Sequence, residues 1–528
     1  MIKINKLQKY FFNGLLLSLS GILINAVSVG FNAYVTSVLG PEGMGLITLT
    51  SGIYGFSITF ATSGINLAVV RRVSAILPYD NKVTSLDDKR SLALSKIMKN
   101  AIIYCLFFSF IATLVLFFCA SPIGKLALGD ARTIPSLKVM ALSLVPISIS
   151  SALNGYFCAV RRVYKNVVAK FLEQGVKICA VTLLLINIAP WGLEYSCVSL
   201  AIGTTISEFF SLIVNIVLYF FDRFLHRENE IKEDLDLKAN SLDVFSIAFP
   251  VAVSSYARSG LSTLEHLLIP WGFKKSGATS SGALASYGIL HGMVFPLLLF
   301  PSSILGAFSS LLVPELSSSL EKKDFSRIKY IVAQVFYFTL IFSLGVSGIL
   351  ICFSEKIGVC FYNSYEAGKF IRLLAPLIPL MYLDGAVDSM LKGLGEQIYS
   401  MRVNILDSLL SILLIVILLP CFGVNGYIGV IFITELFNTT LSILRLLRVT
   451  GVKTSFVSWL VKPLICISLS TIISSWIFSS GYFSSIQNKS FLIFEISFVA
   501  LLYILFSVAT GVISKKERGL IKRLIKSN

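Results

Sequence analysis

AIIYCLFFSFIATLVLFFC, residues Ala101–Cys119, is the stretch whose reading decides the fold. It is apolar on every face, as is SLLSILLIVILL, Ser408–Leu419. A helix that crosses a bilayer needs about 20 mostly apolar residues. A strand of a membrane barrel would instead alternate apolar and polar side chains over roughly 10 residues, which neither stretch does. Helices in lipid are the reading.

Working outward, similar runs recur from Phe11 almost to Ile513 with short polar breaks. The chain of 528 residues is 55% hydrophobic and 14% charged, a balance no water-soluble domain of this length presents on its surface. The runs predict an all-α polytopic membrane protein of about 14 transmembrane helices, numbered here as spans 1 to 14. They are Phe11–Val38, Gly45–Val70, Ala101–Cys119, Ser136–Ala159, Val167–Ile188, Ser196–Phe220, Val244–Ile269, Leu284–Leu312, Tyr330–Cys352, Ile371–Leu391, Val403–Leu419, Gly426–Leu446, Val457–Phe478 and Phe491–Val512. The first run is too long for a cleavable signal and has no small-residue cleavage pattern, so it reads as span 1.

The net charge of +17 takes its meaning from where the cations sit. With a cytoplasmic N-terminus, about 32 of the 45 lysines and arginines fall in inside segments and roughly nine outside, as the positive-inside rule requires. The inside groups are Lys3, Lys6 and Lys9, the Arg71–Lys99 loop, Arg161, Arg162 and Lys165, Arg223–Lys238, Lys322–Lys329, Lys392 and Arg402, Arg445–Lys453, and Lys515–Lys526. The expected location is the cell membrane, multi-pass, with both termini cytoplasmic. Topology and anionic lipid account for the basic face, so no nucleic-acid partner is expected. The nine cysteines are scattered through apolar runs without paired spacing and read as small buried hydrophobes.

Two segments suggest an internal repeat. NGYFCAVRRVYKNVVAKFLEQGVKI from Asn154 and DSMLKGLGEQIYSMRVNILDSLLSI from Asp388 each run from a helix end through a short polar turn into a new helix. A gapless overlay places Glu173 over Asp407. This predicts two six-helix lobes plus two C-terminal helices: an N-terminal lobe of spans 1 to 6 with a cytoplasmic linker over 1–240, a C-terminal lobe of spans 7 to 12 over 241–450, and two extra spans with a basic tail over 451–528. The cleft between parallel repeats is the expected substrate path.

Ionisable groups inside spans are costly and tend to face a bundle interior or a cavity, which makes each one a candidate. On span 7, SYARSGLSTLEHLLIP places Arg258 and Glu265 about two turns apart on nearly the same face, with His266 beside them. A permanently charged guanidinium suits the oxygens of a pyrophosphate; pairing with Glu265 is the plainer role. Asn25 and Asn32, on one face of span 1, either line a cavity or bond across helices. Lys170, Glu173 and Lys177 share a face of span 5, and Asp384, Asp388, Asp407 and Glu435, with Asn438, add acids to spans 10 to 12. All of these are candidates for ion coupling, by Na+ or H+, or for structural pairs. No GxxxxGK[ST] loop occurs, so no ATP is expected to bind directly. Three histidines without metal-ligand spacing, and no nucleophile–base pattern, lead us to expect no metal, no cofactor and no enzymatic activity.

VLGPEGMGLITLTSGIYGFSITFATSGINLAVVRRVSA from Val38 and SYGILHGMVFPLLLFPSSILGAFSSLLVPELSS through span 8 resemble the stage V sporulation protein B group of polysaccharide-type flippases, within the multidrug/oligosaccharidyl-lipid/polysaccharide (MOP) exporter superfamily. The resemblance spans nearly the whole chain. It implies a flippase that carries a lipid-linked oligosaccharide or peptidoglycan precursor, on undecaprenyl pyrophosphate, across the membrane by alternating access, and it implies ion coupling. Relatives of the lipid II flippase often carry arginines inside spans 1, 2 and 8, whereas here Arg71 and Arg72 stand at the cytoplasmic end of span 2. Under the resemblance Arg258 takes the place of the missing arginines, and Arg71 and Arg72 either receive the headgroup at the cytoplasmic entrance or mark topology alone. The alternatives are a cation-coupled multidrug exporter of the same superfamily and a non-transporting envelope-assembly scaffold.

Overall fold

The computed structural model describes residues 6–76, 88–225, 241–452, 456–479 and 489–511. Lys3, Lys82, Arg227, Lys232, Lys238, Lys453 and the basic tail Lys515–Lys526 lie outside the described residues. Every regular element among those described is helical, as it must be where lipid offers backbone groups no partners. In chain order they are α1 (Lys6–Thr62), α2 (Ile65–Ile76), α3 (Asp88–Pro122), α4 (Ile134–Leu142), α5 (Leu144–Ala159), α6 (Tyr164–Ile188), α7 (Leu193–Leu225), α8 (Ser241–Lys275) and α9 (Ser280–Tyr287). A π-helical turn, Gly288–Val294, leads into α10 (Phe295–Leu299), α11 (Ser302–Glu321), α12 (Phe325–Tyr362), α13 (Tyr365–Leu374), α14 (Ile378–Gly393), α15 (Gln397–Thr450), α16 (Phe456–Ser479) and α17 (Lys489–Ala509).

Ten of these helices are long and apolar enough to cross a membrane, or 11 if the pair bent by 41° between Leu142 and Leu144 is one span. The chain is thus a multi-pass helical membrane protein, and the expected fourteen spans differ from this number at three places. Spans 1 and 2 are two helices that meet at a kink at Gly40 (φ 69°) inside the range of α1, and are counted once. Spans 11 and 12 likewise meet at Gly423 (φ 55°) inside the range of α15. Span 7, diluted by Arg258 and Glu265, is absent from the apolar set. A straight helix as long as α15 would run about 80 Å, far beyond a hydrocarbon core of about 30 Å. At Gly423 the chain turns back on itself: a Cβ built on Gly426 would lie 2.6 Å from the Leu418 carbonyl oxygen, which eight residues of straight helix would keep a dozen or so ångströms away. Only glycine takes that left-handed conformation without strain.

Contacts divide the chain into two units. Unit 1 is Met1–Ser20, Val38–Lys274 and Ala278–Gly288, and unit 2 is Gly21–Ser37, Lys275–Gly277 and Ile289–Asn528. The core of unit 1 gathers Ile65 and Val69 of α2, Leu94 and Met98 of α3, and Leu153, Tyr156 and Phe157 of α5. That of unit 2 gathers Leu316 of α11, Val332 and Phe336 of α12, Leu383 and Met390 of α14, and Leu446 of α15. In unit 2, α12 also receives the last two helices. Gly345 faces the Tyr503 ring of α17, and Gly348 faces Ile467 of α16. Small residues at such crossings let helix backbones approach, the main source of attraction between helices in lipid.

Candidate functional site

In unit 1, α8 lies along the second half of α1. The Thr59 hydroxyl donates to the Ser259 hydroxyl at 3.3 Å, and the Thr263 hydroxyl donates to the Gly52 carbonyl at 3.3 Å. The Tyr256 hydroxyl meets that of Ser63. At about 100° per residue, Arg258 and Glu265 then share a different flank of α8, roughly two-fifths of a turn from that seam. Arg258 is exposed and makes no ion pair among the described residues. His266 stands nearer the seam: its Nδ1 is 3.0 Å from the Tyr287 hydroxyl, and its ring lies against Gly52. That bond ties α8 to α9. Arg71 is exposed and Arg72 half-buried at the end of α2.

A second polar group lies between α6 and α7. Lys170 Nζ is 2.5 Å from Glu173 Oε1, and Ser211 of α7 donates to the other carboxylate oxygen at 2.9 Å. Lys177 and Glu208 stand within electrostatic reach of this pair. One helix turn on, Asn215 donates to the Ser211 carbonyl at 3.0 Å, while its own buried Oδ1 finds no partner among the described residues. Nearer the end of α7, the buried Asp222 accepts from Lys165 at 2.5 Å, from the Tyr156 hydroxyl at 3.1 Å and from Arg162. Sequence reasoning singled out neither Glu208 nor Asp222. Each is a lone acid in an apolar run, and its partners come from the preceding helices rather than from its own i+3 or i+4 positions.

In unit 2 three acids of spans 10 to 12 converge. Asn438 Nδ2 donates to Asp384 Oδ2 at 3.2 Å, and Thr439 donates to Glu435 Oε1 at 3.2 Å. Asp384 and Asp407 are near enough for their charges to act on Glu435. Asn438 is 8% exposed, and its Oδ1 accepts no hydrogen bond among the described residues. Asp388 stands apart, held by Lys392 at 2.8 Å and by Ser400. Asn32 donates to the Gly292 carbonyl at 2.6 Å, inside the π-helical turn, where the wider winding leaves backbone groups short of their usual partners. Asn25, two turns back on the same face, is exposed. The residue before Gly292 in that turn, His291, has Nε2 2.6 Å from the Tyr427 hydroxyl, a pairing the sequence does not announce because 136 residues separate the partners. Among the described residues no group of three or more His, Cys, Asp or Glu side chains is arranged to hold a metal.

The model of a family described as polysaccharide biosynthesis protein matches residues 12–320, and that of the MatE family matches residues 276–417. Stage V sporulation protein B of Bacillus subtilis (strain 168) is 24% identical over 445 residues, 82% of this chain and 84% of the relative. Sporulation protein YkvU of the same organism is 19% identical over 268 residues, 49% of this chain and 58% of the relative. Among solved structures, lipid II flippase MurJ in an inward closed conformation superposes with a TM-score of 0.65 at 14% identity, covering 97% of this chain and 98% of that one. An inward-facing multidrug resistance MATE family transporter of the MOP superfamily gives 0.56 at 14% identity, covering 83% and 94%. The fold is that of MOP superfamily transporters.

Proposed function

The chain belongs to the polysaccharide biosynthesis protein family, and from that premise we propose that it flips a lipid-linked oligosaccharide or peptidoglycan precursor, carried on undecaprenyl pyrophosphate, across the cytoplasmic membrane. The observation that carries this reading is Arg258, an exposed guanidinium on α8, the helix expected as span 7, that no acidic side chain neutralises among the described residues. A charge so placed is expensive unless it meets a ligand or water, and its planar fork matches two oxygens of a pyrophosphate. The headgroup enters past Arg71 and Arg72 from the cytoplasmic side, where both termini lie, and the lobes of residues 1–240 and 241–450 rock to release it outside while the lipid tail stays in the bilayer. This is transport rather than catalysis, and it uses no bound ATP.

A Na+ or H+ couples to the cycle at the acids of span 10 to span 12. Asn438 Oδ1, buried beside Asp384 and lacking a donor, is where a cation or a protonated carboxyl would be satisfied. The Glu435→Gln variant is expected to flip without responding to an imposed ion gradient; a response as large as that of the native chain would remove Glu435 from coupling. The match of the MatE model to 276–417 favours one second reading, a cation-coupled exporter of amphipathic drugs. Reconstituted native chain and Arg258→Ala, each given a fluorescent undecaprenyl-pyrophosphate saccharide, separate the two. Transfer by the native chain and its loss in the variant is the expected result. Transfer retained in full would take Arg258 out of the site, and drug efflux without headgroup transfer would favour the exporter.

A further inference from the structure

The turn between α5 and α6 in unit 1 and the turn between α14 and α15 in unit 2 are built alike. The overlay that places Glu173 over Asp407 also places Arg161 over Gly395, and the backbone hydrogen bonds of the two turns match position by position. Arg161 N donates to the Cys158 carbonyl at 3.1 Å and Arg162 N to that of Phe157 at 2.9 Å. Gly395 N donates to the Lys392 carbonyl at 3.2 Å and Glu396 N to that of Leu391 at 2.8 Å. This pattern ends a helix on one left-handed residue, for which glycine is the usual choice. The next residue is tied to a later helix in both turns: Arg162, with Lys165, binds Asp222 of α7, and Glu396 binds Arg445 of α15 at 2.8 Å.

The first turn departs from the second at three matched positions. Where Gly395 takes φ 80°, Arg161 is held at φ 60°, a conformation that strains any residue with a side chain. Where Ser400 donates to Asp388, the matched residues are Asn166 and Asn154, and their side chains do not close on each other. Asn166 Nδ2 donates instead to the Asn154 backbone carbonyl at 3.1 Å and to Cys158 Sγ at 3.3 Å. The side-chain oxygens of Asn154 and Asn166 are both shut off from solvent and receive no hydrogen bond among the described residues, a standing cost to the fold. Each of the two residues is half-buried as a whole, so rotation of the amide brings its oxygen to the surface, and Arg161 is exposed. Backbone strain and unmet acceptors gathered in one turn point to a ligand.

We infer that this turn recognises a phosphate that carries hydroxyl groups beside it: Arg161 pairs with the phosphate oxygens, and the Asn154 and Asn166 side-chain oxygens accept from the hydroxyls. The headgroup of a lipid-linked saccharide has both features, and so does phosphatidylglycerol. A role in loading cargo rests on the flippase reading and on cytoplasmic termini, which put the turn between spans 4 and 5 inside. There it stands toward the same end of unit 1 as Arg71 and Arg72. Asn66 of α2 donates to the Ser151 carbonyl of α5 at 3.1 Å, and Val69 packs on Gly155, so the two helices run the same way and finish together.

The test uses the full-length chain in phosphatidylcholine vesicles with a fluorescent undecaprenyl-pyrophosphate-linked saccharide. Arg161→Gly gives the turn the residue its counterpart has. The variant is expected to melt no lower than the native chain, while its half-saturating saccharide concentration rises about tenfold, the loss of one charge-assisted bond. A lower melting temperature would make Arg161 a structural residue instead. The double variant Asn154→Asp, Asn166→Ser copies the closed Asp388–Ser400 pair and is expected to lose affinity by a similar factor. Lys323→Gly removes another left-handed cation, from the turn before α12, and is expected to leave the half-saturating concentration unchanged. No change in either Arg161→Gly or the double variant would overturn the site, and an equal rise in Lys323→Gly would reduce it to surface charge. Phosphatidylglycerol separates the sources: a defect that is full without it assigns the phosphate to the cargo, and a defect that appears only with it assigns the phosphate to phospholipid. If the native chain moves no saccharide, the flippase reading falls and native mass spectrometry of the purified protein decides the site. More phosphatidylglycerol retained by the native chain than by Arg161→Gly supports it, and equal retention overturns it.

Discussion

At the scale of single residues, the buried charges separate by how completely they are paired. Asp222, 2% exposed, balances two cations and a phenol, so neutralising it leaves Lys165 buried with no counter-charge. Breaking one side of a buried pair costs about 3–5 kcal/mol. Asp222→Asn is therefore expected to lower the thermal stability of the purified protein markedly, while Lys392→Ala, half of an exposed pair worth about 0–1 kcal/mol, is not. Equal melting temperatures for the two variants would contradict this. Asp130, in the turn outside the spans, is partly desolvated, which alone would raise its pKa, but the hydrogen bonds and charge of Arg132 outweigh this and hold it below the usual carboxylate range. A group with a lowered folded pKa stabilises fully above its unfolded value of about 3.9 and loses that stabilisation as pH falls through the folded value. The native chain should thus be indifferent to pH from 7 to 5 at this site and lose stability in stronger acid, and Asp130→Asn should flatten that acid limb. Arg258 is legible from sequence because a guanidinium in an apolar run stands out. Glu208 and His291 are not, because what marks them is a neighbour supplied by another helix.

At the scale of elements, the apolar runs reveal that helices exist but not how they join. The break read between Val403–Leu419 and Gly426–Leu446 falls where the structure has the left-handed backbone of Gly423, but the geometry of the join is not in the sequence, because glycine is too common in spans to signal it alone. The same holds for span 8, whose unbroken apolar run hides α9, a π-helical turn, α10 and α11. The seat for the last two helices is likewise a matter of contact. Gly348 leaves room for Ile467, whose Cγ1 would lie 2.3 Å from an added Cβ, and Lys356 bonds the buried Glu495 at 2.6 Å. Gly348→Leu should force α16 off α12, at the cost of about 1–3 kcal/mol typical of overpacking. Limited proteolysis should then cut between α15 and α16 faster than in the native chain, and an unchanged cutting rate would show that the seat tolerates the added bulk.

At the scale of the whole molecule, charge and direction of transport are linked. A pyrophosphate headgroup that crosses outward carries negative charge down an inside-negative potential, which contributes about 2.3 kcal/mol per elementary charge for each 100 mV. If net negative charge moves with the cargo, an imposed inside-negative potential should speed outward transfer in vesicles, and a rate independent of potential would mean that a co-moving cation cancels the charge. The multi-pass helical architecture and the family resemblance are both legible in the sequence, since Ala101–Cys119 excludes strands and the span 2 and span 8 segments carry the family's pattern. The most direct test of the central claim is translocation of a fluorescent undecaprenyl-pyrophosphate-linked saccharide by the purified native chain in proteoliposomes, read as protection of the headgroup from an external quencher or enzyme. Transfer well above that of protein-free vesicles is expected; transfer no faster than the lipid alone, by protein shown to be folded, would contradict a flippase.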